Sequence, residues 1–155
     1  MMVIVKAIYI AANGGAPMQA VEDADLVAGQ GIVGDRYYGD SGTFSKKLKD
    51  LPDKELTLIE SEQIDQFNTA RGLSLDYGAF RRNIVTRGIH LDELIDSEFT
   101  IGETRLRGIR LCEPCSYLAG LLGPEVLSDM VHRAGLRAAI IKSGKINVND
   151  VIKIQ

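Results

Sequence analysis

The chain has 155 residues, of which 45% are apolar and 25% charged, and its formal net charge is -3. Such a composition is that of a soluble globular protein, expected to form a single domain over residues 1–155 and to bury roughly two thirds of its unfolded surface. The charge excludes a general nucleic-acid binder, no apolar run approaches a membrane span, and Met1 to Ala12 is too short in its apolar part for a signal peptide. A cytoplasmic protein with reduced thiols is therefore expected.

In chain order, Val3 to Ala11 is β-branched and apolar and predicts a strand, broken by Gly14, Gly15 and Pro17. Gln19 to Ala28 alternates loosely and predicts a second strand. Gly29 to Asp50 carries Gly29, Gly31, Gly34, Gly39 and Gly42, ends in Lys46, Lys47 and Lys49, and has no obvious element. A segment of this kind inside a compact domain points to function or mobility. It is not a phosphate-binding P-loop, because no Gly-Lys-Ser/Thr follows at the required spacing.

Leu56 to Ile59 predicts a short strand. Ser61 to Arg71 has helical spacing, with Ile64 and Phe67 on one face and Gly72 as its stop. Asn83 to Thr86 is a strand preceded by Arg81 and Arg82, and Leu91 to Ile95 is one or two helical turns. Glu98 to Ile101, a Gly102-Glu103 turn and Thr104 to Cys112 predict a hairpin whose second strand alternates imperfectly. Tyr117 to Leu122 and Pro124 to His132 are helical, with Gly135 closing the second. Leu136 to Lys142 is an apolar strand, Ser143 to Lys145 a turn, and Ile146 to Gln155 one or two final strands. Many short strands with few short helices predict a mostly β domain, a closed or partly closed barrel.

Both cysteines stand in Leu-Cys-Glu-Pro-Cys-Ser-Tyr-Leu, at Cys112 and Cys115. A thiolate is the strongest soft-metal ligand and sulfur nucleophile that a protein carries, although free cysteine also serves as a small buried apolar residue. A strand gives way here to a proline-started helical turn, whose unpaired N–H groups mark Cys115 as the reactive thiol and Cys112 as the lesser partner. Three chemical readings compete. A zinc knuckle lacks ligands beyond His90 and His132, neither at finger spacing. A thioredoxin-type pair needs a βαβ setting, against the β-rich surroundings. A single cysteine that ligates a soft metal, or carries sulfur as persulfide, fits best.

Arg81, Arg82 and Asn83 form a second cluster, suited to an anion or equally to surface ion pairs. In a strand, at most one of the two arginines shares a side with a given ligand. Gly34, Asp35 and Arg36 in the glycine-rich segment, and His132 with Arg133 at a helix end, are weaker candidates.

Several fragments, in order, resemble the MOSC family, named for the C-terminal domain of the molybdenum cofactor sulfurase. They are Gly-Ile-Val-Gly-Asp-Arg at Gly31 to Arg36, Arg-Arg-Asn-Ile at Arg81 to Ile84, Gly-Ile-His-Leu at Gly88 to Leu91, and Phe-Thr-Ile-Gly at Phe99 to Gly102. Pro114-Cys115, His-Arg-Ala-Gly-Leu-Arg-Ala at His132 to Ala138, and Gly-Lys-Ile-Asn-Val-Asn-Asp-Val at Gly144 to Val151 complete the set. The closing motif departs from the usual Gly-Asp, having Asn149-Asp150, and asparagine tolerates the left-handed turn.

The resemblance implies a β-barrel of the MOSC and pyruvate-kinase type, with Cys115 carrying sulfur or ligating the molybdenum of a molybdopterin-type cofactor. Arg81, Arg82, Asn83 and N–H groups of the glycine-rich segment, Gly34 to Arg36 among them, would meet the pterin phosphate, with His132 and Arg133 as further candidates. It implies no pyridoxal-phosphate site in this chain, so sulfur or loaded cofactor would come from a separate donor or molybdoenzyme partner. A molybdenum-dependent reductase of N-hydroxylated compounds and a β-barrel interaction module with structural cysteines are the alternatives. Cys115 is expected to open onto a pocket between the Gly29 to Asp50 segment and the strand bearing Asn83, with an arginine nearby. Oligomeric state is left open, though exposed strand edges would allow pairing.

Overall fold

The computed structural model describes residues 2–48, 51 and 54–155. The end of the glycine-rich segment, including Lys49 and Asp50, lies outside the described residues. An eight-stranded sheet contains β1 (Ile4–Ile10), β2 (Gln19–Val21), β5 (Leu56–Glu60), β6 (Ile84–Arg87), β7 (Glu98–Ile101), β8 (Thr104–Leu111), β9 (Leu136–Lys142) and β11 (Ile152–Ile154). Its order is β11-β7-β8-β9-β5-β6-β1-β2, and β5–β6 is its one parallel pair. A three-stranded sheet joins β10 (Gly144–Asn147), β3 (Asp23–Val27) and β4 (Gly31–Ile32) in the order β10-β3-β4.

The expectation of a mostly β domain holds, but the sheet is not closed into a barrel. Its end strands, β2 and β11, are not paired with each other. β1 instead divides its edge. Its C-terminal half pairs with β2, while Ile4 forms a single bridge to Val151, supported by backbone bonds from Val5 to Asp150 and from Ile152 to Val3.

Predicted Gln19 to Ala28 is two strands rather than one, and they lie in different sheets, with the chain turning at Glu22. The glycine-rich segment contains β4 and a short helix, α1 (Ser45–Leu48), where no element was expected. Helix α2 (Ser61–Arg71) ends as its sequence dictates, on Gly72 at φ 64°. The predicted turns at Leu91 to Ile95 form a 3-10 turn, Leu91–Leu94. Helix α3 runs Ser116–Leu122, and α4 covers only Val126–Asp129 of the longer span predicted. Asn149 does adopt the left-handed conformation, at φ 78°, and the Asp150 carboxylate accepts the Asn147 N–H at 2.7 Å.

Two apolar clusters hold the fold. Leu58, Ile84, Phe99, Leu106 and Ile146 pack on one side of the large sheet, whereas Ile59, Val85, Phe67, Phe80 and Leu118 pack under the helices on the other. Adjacent residues of β5 and β6 therefore enter opposite clusters, which is why these strands read as unbroken apolar runs. The imperfect alternation of β8 has a local cause. Its pairing with β9 slips between Gly108 and Arg110, so one extra residue reverses the pattern.

Glu55 anchors the start of β5. Its buried Oε1 accepts the N–H groups of Gly29 and Ile140, both at 3.0 Å. Burial pushes its carboxyl above the ordinary value, against the opposing pull of those N–H groups and Lys54. The folded state thus holds the proton more tightly than the unfolded chain. The resulting stability is complete below the ordinary carboxylate value of about 4.5 and is lost as pH rises through the raised folded value. Glu55→Gln keeps the acceptor and removes the titration. Its stability relative to the parent should rise across that window in urea titrations at several pH values. Glu55→Ala leaves the buried Ile140 N–H unpaired and should lower stability by about 2 kcal/mol at low pH, a deficit that narrows as pH rises and the parent loses its own contribution.

Candidate functional site

Cys112 and Cys115 line one small cleft together with Arg36, Arg81, Arg82 and Arg137. The glycine-rich segment adds Tyr37, Thr43 and Phe44, and α3 adds Tyr117. The cleft has a volume of about 30 Å³. At its rim the Phe44 and Tyr117 rings meet edge to face, with centroids 6.3 Å apart, tying the segment to the helix after Cys115.

The backbone fixes the thiols differently. Cys112 follows β8, donates its N–H to Gly135 at 2.8 Å and is buried, only 3% exposed. Cys115 is half-buried and immediately precedes α3, accepting the Ala119 N–H with its carbonyl. Both thiols are free. A thiol-specific alkylating reagent should label Cys115 in the native protein and reach Cys112 only after denaturation, as peptide mass mapping would record.

The arginines divide by their commitments. Arg82 is buried and gives Nε to the Ala134 carbonyl, Nη1 to Phe80 and Nη2 to Cys112, at 2.8, 3.2 and 3.2 Å. Arg36 is paired with the buried Asp35 carboxylate at 2.9 Å, lies over the Tyr37 ring and donates to the Arg81 carbonyl. Asp35 also accepts the N–H groups of Ala11 and Tyr37, so this pair braces the loop. Arg81 differs. Its Nη1 donates to the Ala16 carbonyl at 2.8 Å, but its Nη2 is buried with no hydrogen-bond partner. Its backbone stands at φ 61°, a conformation costly for a side-chain-bearing residue.

Asn83 is fully buried and faces the strands instead of the cleft. Its Oδ1 accepts the Thr57 N–H, its Nδ2 donates to the Tyr9 carbonyl, and its own N–H is met by Thr57 Oγ1. Gly34, at φ 88°, serves the turn after β4 and is not among the cleft residues. His132 and Arg133 are placed elsewhere, on a groove of about 820 Å³ bordered by α2 and α4. The His132 N–H and ring Nδ1 meet the Glu113 carboxylate at 2.6 and 2.5 Å, which ties the residue between the cysteines to that groove wall. The groove is the larger hollow, but it holds neither thiol. Both thiols belong to the smaller cleft.

Arg137 was not foreseen. It pairs across the sheet with Thr57 and with Arg110, and these pairings bring it beside the cysteines. The available signal was a lone charge inside the apolar run Leu136 to Ile141. Among the described residues, no group of three or more His, Cys, Asp or Glu side chains is placed to hold a metal ion.

A family model for the MOSC domain matches residues 35–153. Among solved structures, the YuaD protein from Bacillus subtilis aligns with a TM-score of 0.79 at 16% identity, covering 99% of this chain and 96% of that one. YiiM from Geobacillus stearothermophilus aligns with a TM-score of 0.77 at 14% identity, covering 99% and 75%. YiiM from Escherichia coli gives 0.68 at 18% identity, covering 99% and 68%. These likenesses establish a shared fold. No curated protein matches the sequence. With the family model spanning most of its length, the chain belongs to the MOSC domain family, which is associated with molybdenum-cofactor-related function.

Proposed function

We propose that this chain handles a molybdopterin-type cofactor or the sulfur destined for it, with Cys115 as sulfur carrier or metal ligand. The observation that carries the reading is the convergence of a half-buried free thiol with four arginines on one cleft, beside a buried guanidinium nitrogen that lacks a partner. The residues fit the charged and soft parts of such a group. Cys115 supplies a thiol for molybdenum or sulfur, and Arg81 and Arg137 supply cationic hydrogen-bond donors for an anion such as phosphate. When bound, the cofactor contributes a metal centre that accepts soft sulfur ligands.

The chain's own residues orient and neutralise. Arg82 and Arg36 hold the walls through main-chain carbonyls; Arg82 adds positive charge, whereas the charge of Arg36 is met by Asp35. Phe44 and Tyr117 narrow the approach. Pockets that enclose a drug-sized ligand run from roughly 300 to 1,000 Å³, so a cleft of about 30 Å³ takes only one end of a pterin. This favours transient handling over the stable holding that a reductase of N-hydroxylated compounds would need. The half-exposure of Cys115 weighs against cysteines that serve packing alone. Two free thiols suit a reducing cytoplasm and the absence of a structural disulfide.

Protein purified from a molybdenum-replete host should contain molybdenum, a pterin or a Cys115 persulfide by elemental analysis, fluorescence and mass spectrometry. Absence of all three, where a related MOSC protein loads, would remove the proposal.

A further inference from the structure

We propose that Cys112 is the resolving thiol for sulfur held on Cys115, so that the chain releases its cargo as sulfide by closing an internal disulfide. This rests on the reading of Cys115 as a sulfur carrier. Three observations point to it. Cys112 and Cys115 stand close in the chain, separated only by Glu113 and Pro114, and both line the same cleft. Cys112 is held at its carbonyl by Arg82 and at its N–H by Gly135, so its main chain is fixed at the cleft. Cys115 lies at the junction before α3, half-buried, where cargo can reach it.

The step balances within the chain. The Cys112 sulfur, losing its proton, attacks Sγ of the Cys115 persulfide. A Cys112–Cys115 disulfide forms and the bond from Cys115 Sγ to the outer sulfur breaks. The outer sulfur leaves with the bonding electron pair as hydrosulfide, taking up a proton to become hydrogen sulfide. The sulfane sulfur is reduced, and the two thiols are oxidised to the disulfide. A small dithiol reductant resets the pair. The arginines around the cleft offset the negative charge of the departing hydrosulfide.

The full chain is loaded with inorganic polysulfide, desalted, and followed for released sulfide and for peptide masses. Loading on Cys115, followed by release of sulfide with appearance of a Cys112–Cys115 linkage, is the expected result. Cys112→Ser should retain the Cys115 persulfide and release sulfide about tenfold more slowly or less. Because Cys112 is buried, Cys112→Ala serves as a second variant, and the melting curve of each is compared with that of the parent. Loading without release or linkage, or equal release from the folded Cys112 variants, overturns this inference and leaves the carrier reading standing. Failure of Cys115 to load at all overturns both.

Discussion

If Cys115 carries the sulfur or ligates the metal as proposed, Cys115→Ser should abolish sulfur loading and lower bound molybdenum to background while the fold survives. Cys115 is half-buried and borders the cluster around Leu118 without occupying its centre. Exchange of sulfur for oxygen there changes little volume, and the stability cost is about 1 kcal/mol or less. The chemical loss is complete, because a hydroxyl forms no persulfide and is a hard donor. Whole-protein mass after polysulfide treatment, and metal content after expression with molybdate, read the effect directly. A serine variant that still loads sulfur, with Cys112 also replaced, would place the reactive atom elsewhere.

The largest stability effect is expected from Gly135→Ala. Gly135 stands at φ 127°, and a Cβ there would sit 2.3 Å from the Leu58 carbonyl oxygen and 3.4 Å from Arg82 Nε. Backbone strain and overlap with a central strand combine, for a loss of about 3 kcal/mol or more. The displacement would reach Arg82 and the Cys112 N–H, so cleft function should fall with stability. Gly120→Ala is the matched control. Gly120 lies inside α3 with no neighbour within 4 Å of the added carbon, so alanine should stabilise by about 0.5 to 1 kcal/mol. Urea unfolding of both variants tests the contrast, and equal midpoints would refute it.

Much of this could be read from residue pattern. The helix ending at Gly72, the hairpin at Gly102 and the apolar runs of β1, β5 and β9 obey local rules. What escaped was set by pairing. The split of Gln19 to Ala28 into two sheets follows from where Glu22 turns the chain, and a loosely alternating stretch does not announce that. The open sheet was not legible either, since closure depends on how β1 shares its edge.

At the site, the cysteines and the Arg81–Arg82 pair were evident from type and spacing. Asn83 carries the right chemistry for a ligand, yet its amide is taken up by Thr57 and Tyr9, because strands on both sides leave backbone groups to satisfy there. His132 sits in a motif near the cysteines in sequence order, but the chain between them carries it to the groove. Arg137 came to the cleft only through the register of three strands.

The threefold grip of Arg82 on Phe80, Cys112 and Ala134 has a consequence for how this cleft can diversify. One side chain is both rivet and electrode. A lysine there would keep the charge but drop the fork, loosening the seam that carries a thiol, so selection cannot retune the local potential at this position without loosening the frame. Substitutions that retune this cleft without loosening its frame are therefore expected to be tolerated at positions with fewer hydrogen-bonding duties, such as 137, 43, 44 and 117.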